Sequence, residues 1–318
     1  MLIHVLLLVA GLTVLIFGAD WLVAGASAIA KKMNVSDLAI GLTVVSFGTS
    51  APEFVVNTIA AWNGNSDIVF GNVIGSNNFN LFLILGITGM ISPLVVQKTT
   101  VWKEIPISFL AIVVVFLLVN DTLLFSRPTE LGRIDGIILA IFFLGFLYYV
   151  YKHLGSDVAE KSEEKHRPTL VLWLMIIGGL GGLVLGGHLV VNQAVAIAQI
   201  MGVSEKIIGL TIIAAGTSLP ELATSVVAAL KKNNDIAVGN IIGSNIFNLF
   251  LILSASSIVK PIAFSTDFNT DLYILAAGTL FLFAAMFMSG KKKLDRWEAS
   301  VLFFVYLSYT IYLVMNEL

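Results

Sequence analysis

The chain has 318 residues, 58% of them hydrophobic and 12% charged, with a net charge of −2 and no cysteine. A soluble domain carries roughly twice that share of charge, so the composition excludes an ordinary water-soluble globule and points to a polytopic membrane protein. The near-neutral balance argues against a nucleic-acid partner, and the lack of cysteine excludes disulfides and thiolate metal sites.

A helix needs about 20 mainly apolar residues to cross a bilayer. Ten segments are predicted to do so: 3–30, 37–62, 67–91, 101–119, 131–152, 168–199, 205–230, 235–258, 268–289 and 295–315. The N-terminal stretch MLIHVLLLVAGLTVLIFGADWLVAG has no basic leader and runs on into apolar sequence, so it reads as a first span and not as a cleaved signal. All ten are expected to be helical, because lipid requires backbone groups to be satisfied within the segment and no short alternating strands are evident.

Of the 18 Lys and Arg residues, fourteen fall on the side that holds the first loop, and four (Arg127, Arg133, Lys206, Lys260) fall on the other. Cytoplasmic loops carry the excess of basic residues. The first-loop side is therefore expected to be cytoplasmic, with both termini outside and 153–167 a cytoplasmic linker.

Shifted by 168 residues, the sequence falls on itself. GLTVVSFGTSAPEFV (41–55) matches GLTIIAAGTSLPELA (209–223) at 8 of 15 positions, and GNVIGSNNFNLFLIL (71–85) matches GNIIGSNIFNLFLIL (239–253) at 13 of 15. Five spans per copy is an odd number, so the second copy must enter the membrane from the opposite side. The expected architecture is all-α: a five-helix repeat at 1–152, the linker, and an inverted five-helix repeat at 168–318. Inverted repeats with interrupted helices in matching positions point to a secondary transporter with its site near the midplane.

Each copy has two polar interruptions. Glu53 is the one charge in residues 38–62, and Glu221 repeats it. Each follows Gly-Thr-Ser (Gly48–Ser50, Gly216–Ser218) and a proline, Pro52 or Pro220, which frees the carbonyl four residues back, at Gly48 or Gly216. Carboxylate, hydroxyls and carbonyls together make an all-oxygen environment suited to a hard cation such as calcium. Ser50-x-x-Glu53 and Ser218-x-x-Glu221 also fit a capping box, but a carboxylate at mid-bilayer costs several kcal/mol, more than a cap requires. In the next span of each copy, Asn72, Ser76 and Asn80 share one helical face, as do Asn240, Ser244 and Asn248. The serines and Asn80 and Asn248 are assigned to the site; Asn72, Asn77, Asn240 and Asn245 serve either the site or interhelical hydrogen bonding. Asp20 and His188 align across the copies but differ in chemistry, which disfavours a shared cation site. Asp135, at a helix start, reads as a cap.

The paired GTSAPE and GTSLPE, each followed by GNVIGSNNFN or GNIIGSNIFN, resemble the two signature repeats of the cation/calcium exchanger superfamily, most closely the short prokaryotic sodium/calcium exchangers. The resemblance covers nearly the whole chain except 153–167. It implies that Glu53 and Glu221 are central ligands for calcium and sodium. It implies further that Thr49, Ser50, Thr217 and Ser218 add oxygens, that Ser76 and Ser244 line outer sodium positions, and that the backbone oxygens of Ser46 and Ala214 complete them. Asn80 and Asn248 would face the middle of the site. The first and sixth helices would be long and mobile. Some relatives, including the potassium-dependent branch, carry Asp where this chain has Asn248, which argues against a potassium site.

The expectation is an antiporter that exchanges sodium for calcium by alternating access, with Ca²⁺ and Na⁺ as substrates, the bilayer as its surroundings, no cofactor and no obligate protein partner. A proton/calcium antiporter on the same scaffold and a cation channel are the alternatives. An enzyme is disfavoured: Ser50 and Ser218 have no histidine in a suitable place.

Overall fold

The computed structural model describes residues 1–120, 129–153, 168–202, 214–288 and 292–317. The linker expected at 153–167 lies outside them apart from His153, as do residues 205–213 of the seventh expected span.

The described chain is helical throughout its membrane-length segments: α1 (Leu2–Met33), α2 (Asp37–Thr49), α3 (Ala51–Asn63), α4 (Ser66–Ile91), α5 (Thr100–Val119), α6 (Arg133–His153), α7 (Thr169–Ile200), a turn at Ala214–Gly216 leading to α8 (Leu219–Leu230), α9 (Asn234–Val259), α10 (Phe268–Met288) and α11 (Arg296–Glu317). Among the described residues, seven helices are long and apolar enough to cross a bilayer: α1, α4, α5, α6, α7, α9 and α10. The bent pair α2–α3 makes an eighth if it is one span. These correspond to eight of the ten spans expected from sequence, and α8 and α11 lie at the other two. α8 is the described end of the seventh expected span, whose residues 205–213 lie outside the described residues. α11, at the tenth expected span, is a 22-residue helix.

Burial sorts the spans into two layers. In α4 and α9, 72% and 94% of the apolar window is buried, against 22% to 39% in the other five. The outer helices expose Leu2, Ile3, Leu6, Ile16, Phe17, Ile134, Ile141, Leu144, Leu170 and Leu185. Apolar surface on that scale faces lipid, not water; this is an all-helical membrane protein.

The two longest helices, α1 and α7, lie antiparallel along their length on glycine. Gly11 meets Gly186 and Val190, Gly18 meets Gly179 and Leu183, and Gly25 meets Leu172 and Ile176. A Cβ on Gly18 would stand 2.7 Å from the backbone nitrogen of Leu183 and 2.8 Å from the carbonyl oxygen of Gly179. Small residues let membrane helices approach closely where hydrophobicity gives no drive to associate.

Two short strand pairs depart from the purely helical expectation. β1 (Leu94–Val95) pairs with β4 (Lys293–Leu294), and β2 (Glu130–Leu131) with β3 (Ile262–Ala263), both antiparallel. Each joins one half of the chain to the other. They sit where helices end and chain ends have backbone groups to satisfy, and two residues are too few for an alternating pattern to show in sequence.

Candidate ion-binding site

The break in α2–α3 is local chemistry. α2 ends at Thr49, Ser50 turns at φ −83°, ψ 5°, and α3 restarts with Pro52 in its first turn, bent by 49°. Proline tolerates the first turn of a helix and not its interior. The second copy does the same, with Ser218 at φ −92°, ψ 8° and Pro220 opening α8. The copies differ in one bond: Ser50 N–H reaches four residues back to the Ser46 carbonyl (2.9 Å), whereas Ser218 N–H reaches three, to Ala215 (3.2 Å).

The capping box does not form in either copy. Neither serine bonds its own helix through its side chain. The hydroxyls cross over instead: Ser50 Oγ donates to Glu221 Oε1 (2.9 Å), and Ser218 Oγ lies 3.3 Å from Glu53 Oε1 and 3.1 Å from Ser76 Oγ. Each glutamate is thus held by the serine that precedes its counterpart. Both are 1% exposed, and the two carboxylates repel one another across the site. Thr217 flanks Glu53, while Thr49 and Ser244 flank Glu221.

The asparagines of α4 and α9 divide into two sets. Asn77 Nδ2 donates to the Asn245 carbonyl (3.3 Å) and Asn245 Nδ2 to the Asn77 carbonyl (3.4 Å). Asn80 Nδ2 donates to Asn245 Oδ1 (3.1 Å), and Asn248 Nδ2 to Asn77 Oδ1 (2.9 Å). Asn77 and Asn245 therefore stitch the helices together. They also orient Asn80 and Asn248, whose amide nitrogens are engaged while their Oδ1 atoms have no partner among the described residues. Glu53 Oε2, Glu221 Oε2 and Ser244 Oγ are in the same position. Buried acceptors left without a donor are costly, and a cation removes the cost.

Asn72 and Asn240 brace the threonines. Asn72 Nδ2 lies 3.5 Å from Thr217 Oγ1, and Thr49 Oγ1 donates to Asn240 Oδ1 (3.0 Å). Behind them stand two residues that the sequence reading missed. Asn57 Nδ2 donates to the Glu53 carbonyl (2.7 Å) and to Asn72 Oδ1 (2.9 Å), and Ser225 Oγ accepts from Asn240 Nδ2 (3.0 Å). The signal was available: each lies one helical turn after its glutamate, at the 168-residue offset.

Ser46 and Ala214 are less alike than the resemblance implied. The Ser46 carbonyl already accepts from Ser50 N–H and from Thr49 Oγ1 (3.3 Å). Its hydroxyl bonds the Gly41 carbonyl (2.7 Å) and approaches those of Asn240 (3.1 Å) and Gly239 (3.3 Å). Ala214 opens the turn before α8 and has no hydroxyl to do this. Asp20 and His188 stand apart from the site: Asp20 pairs with Lys231 (2.7 Å), and His188 meets Asn192. Asp135 accepts the Gly132 N–H (2.8 Å), as a cap does.

α7 leans over both breaks. A Cβ on Gly48 would lie 2.4 Å from Leu180 Cδ2, and one on Gly216 2.6 Å from Val191 Cγ2. The glycines of the two motifs therefore make room for α7. Among the described residues no three or more His, Cys, Asp or Glu side chains come together in a way that could hold a metal ion. Any ion held here meets two carboxylates and otherwise neutral oxygens.

The chain is similar to known proteins over nearly its whole length. Residues 3–152 and 171–315 match the family described as sodium/calcium exchanger protein. The chain is 38% identical to the "Putative antiporter CaxA" of Alkalimonas amylolytica, covering 97% of this chain and 98% of that one. It is 29% identical to the "Sodium/calcium exchanger MaX1" of Methanosarcina acetivorans, covering 98% of both. Among solved structures, the sodium-calcium exchanger NCX_Mj superposes with a TM-score of 0.81 at 31% identity, over 96% of this chain and 97% of that one. The chain belongs to the sodium/calcium exchanger family, a family of membrane transporters and not of enzymes.

Proposed function

We propose that the protein is a secondary antiporter that exchanges sodium for calcium across a cell membrane by alternating access. The observation that carries this reading is the crossed pair of buried glutamates: Glu53 and Glu221, each bonded by the other copy's serine, each with one carboxylate oxygen left without a partner.

Charge balance gives the exchange rule. Two carboxylates make a cage of −2 in a medium of low dielectric constant. One Ca²⁺ neutralises it, and so do two Na⁺, so the two ion sets exclude each other. An ion moves the inward/outward balance only through its different affinity for the two states. The empty cage, with two anions face to face, resists occlusion and so suppresses leak. In this reading Glu53 and Glu221 are the central ligands. Thr49, Ser50, Thr217, Ser218, Ser76 and Ser244 supply hydroxyl or carbonyl oxygens, Asn80 and Asn248 present Oδ1 to the middle, and the carbonyls of Ser46 and Ala214 complete the outer positions.

The topology proposed with it is ten spans in two inverted halves, 1–152 and 168–318, joined by a cytoplasmic linker, with both termini outside. Three features support it. α1 and α7, at equivalent places in the two halves, run antiparallel. The Asn77 and Asn245 bonds are reciprocal. β1 and β3, also 168 residues apart, are each paired by the opposite half.

The test is calcium uptake into proteoliposomes of purified protein, loaded with sodium or with acid. Uptake driven by the sodium gradient is expected. Uptake driven only by the proton gradient would replace this reading with proton/calcium antiport, and single-channel currents would replace it with a channel.

A further inference from the structure

A second site lies away from the ion cage, on the outer surface where the start of α5 meets the end of α6. Trp102, Lys103, Pro106, Ile107, Leu110 and Tyr149 line a cleft of about 370 Å³. Its back wall is built firmly. Tyr149 OH donates to Glu104, a carboxylate that is fully buried behind the ring. Trp102 packs edge-on against Phe283 and Phe287 of α10 (centroids 5.9 and 5.3 Å). Trp102 and Leu110 are exposed at its rim, 55% and 44%, so the cleft opens sideways, towards lipid.

The cleft has a polar end and an apolar end. Lys103 lies in the first turn of α5, at one end of its apolar span, with its ammonium 5.3 Å from the centre of the Tyr149 ring. It makes no ion pair with a described residue. Lys152 stands nearby on α6, over Tyr148 at 5.8 Å. From Lys103 the floor of Pro106, Ile107 and Leu110 runs about 10 Å along the helix towards the bilayer centre. Trp and Tyr favour the membrane interface, and basic pockets between membrane helices bind anionic headgroups.

We propose that this cleft binds an anionic phospholipid, its phosphate on the Lys103 ammonium and an acyl chain along Pro106–Leu110. Charge decides the headgroup: Lys103 stands at the mouth without an ion pair to a described residue, the neighbouring Glu104 carboxylate is buried and bonded to Tyr149, and a choline group would bring a second cation against the lysine. The apolar floor and sideways opening favour a lipid over a soluble phosphate.

Native mass spectrometry of the detergent-purified protein, titrated with phosphatidylglycerol and with phosphatidylcholine of matched chains, tests this. The parent is expected to retain phosphatidylglycerol roughly fivefold better, the ratio that about 1 kcal/mol per lysine implies. Lys103→Gln should abolish the preference, Lys103→Arg should keep it, and Lys32→Gln, an exposed lysine elsewhere, should leave it unchanged. Glycerol phosphate at the same concentration should not displace the lipid; displacement would make the site one for soluble phosphate. A parent without preference, or a Lys103→Gln protein that keeps it, overturns the proposal. If Lys103→Gln does not fold, Leu110→Trp, which fills the apolar end, must lower retention of phosphatidylglycerol, and unchanged retention overturns it equally.

Discussion

Glu53→Gln isolates the charge of the cage from its shape. The substitution keeps the oxygen that faces Ser218 (3.3 Å) and replaces the unpartnered Oε2 with an N–H₂ group. A ligand oxygen becomes a donor pointing at the ion, and the cage falls from −2 to −1. Calcium then leaves one uncompensated positive charge in a buried site. Removing one partner of a buried charge pair costs about 3–5 kcal/mol, which is roughly two to four orders of magnitude in calcium affinity at 1.4 kcal/mol per decade. The ion-free protein loses a like-charge repulsion and gains an amide that still accepts from Ser218, so its fold should not weaken. Calorimetric calcium titration, with melting curves in chelator and in calcium, separates the two effects. The melting temperature in chelator should equal or exceed the parent's, and the calcium-dependent rise should vanish. A Glu53→Gln protein that binds calcium within about threefold of the parent would refute a paired-carboxylate cage.

The crossed hydrogen bonds are tested by double-mutant cycles in sodium-driven calcium uptake: Ser50→Ala should couple to Glu221→Gln by about 1.5–3 kcal/mol, the range for hydrogen bonds to charged groups. Coupling to Glu53→Gln instead would restore the local capping box. Gly18→Ala places a methyl against backbone of α7, which cannot rotate away; an overpacking cost of about 1–3 kcal/mol should lower the melting temperature, and an unchanged one would contradict the close seam. Asp20→Asn breaks the Asp20–Lys231 pair between α1 and the end of α8. Half-exposed pairs contribute little, at most about 1 kcal/mol, so the balance between facing states should shift up to about fivefold. Labelling of a single introduced cysteine on α1 reads that shift without background, because the chain has no cysteine, and identical labelling would show that the pair holds nothing.

The lipid-facing character, the helical class and the duplication were legible because each is a one-dimensional property. Composition follows from the solvent, and a copied gene segment keeps a constant offset. The glutamates announced themselves because a charge in an apolar run has a cost that function must offset. The capping-box spacing offered a local partner that the structure does not use: Ser50 stands three residues from Glu53 and bonds Glu221, 171 residues away.

Sequence by itself determined what must be buried and how often it recurs: two carboxylates, two serine–asparagine faces, two prolines that break helices. Tertiary structure decided who faces whom. It exchanged the serines between the halves, gave Asn77 and Asn245 to the α4–α9 contact, brought in Asn57 and Ser225, and seated α7 on the motif glycines. Spacing along one helix fixes which side chains share a face, but the partner opposite that face is set by how helices from different halves pack, and no single segment carries that information.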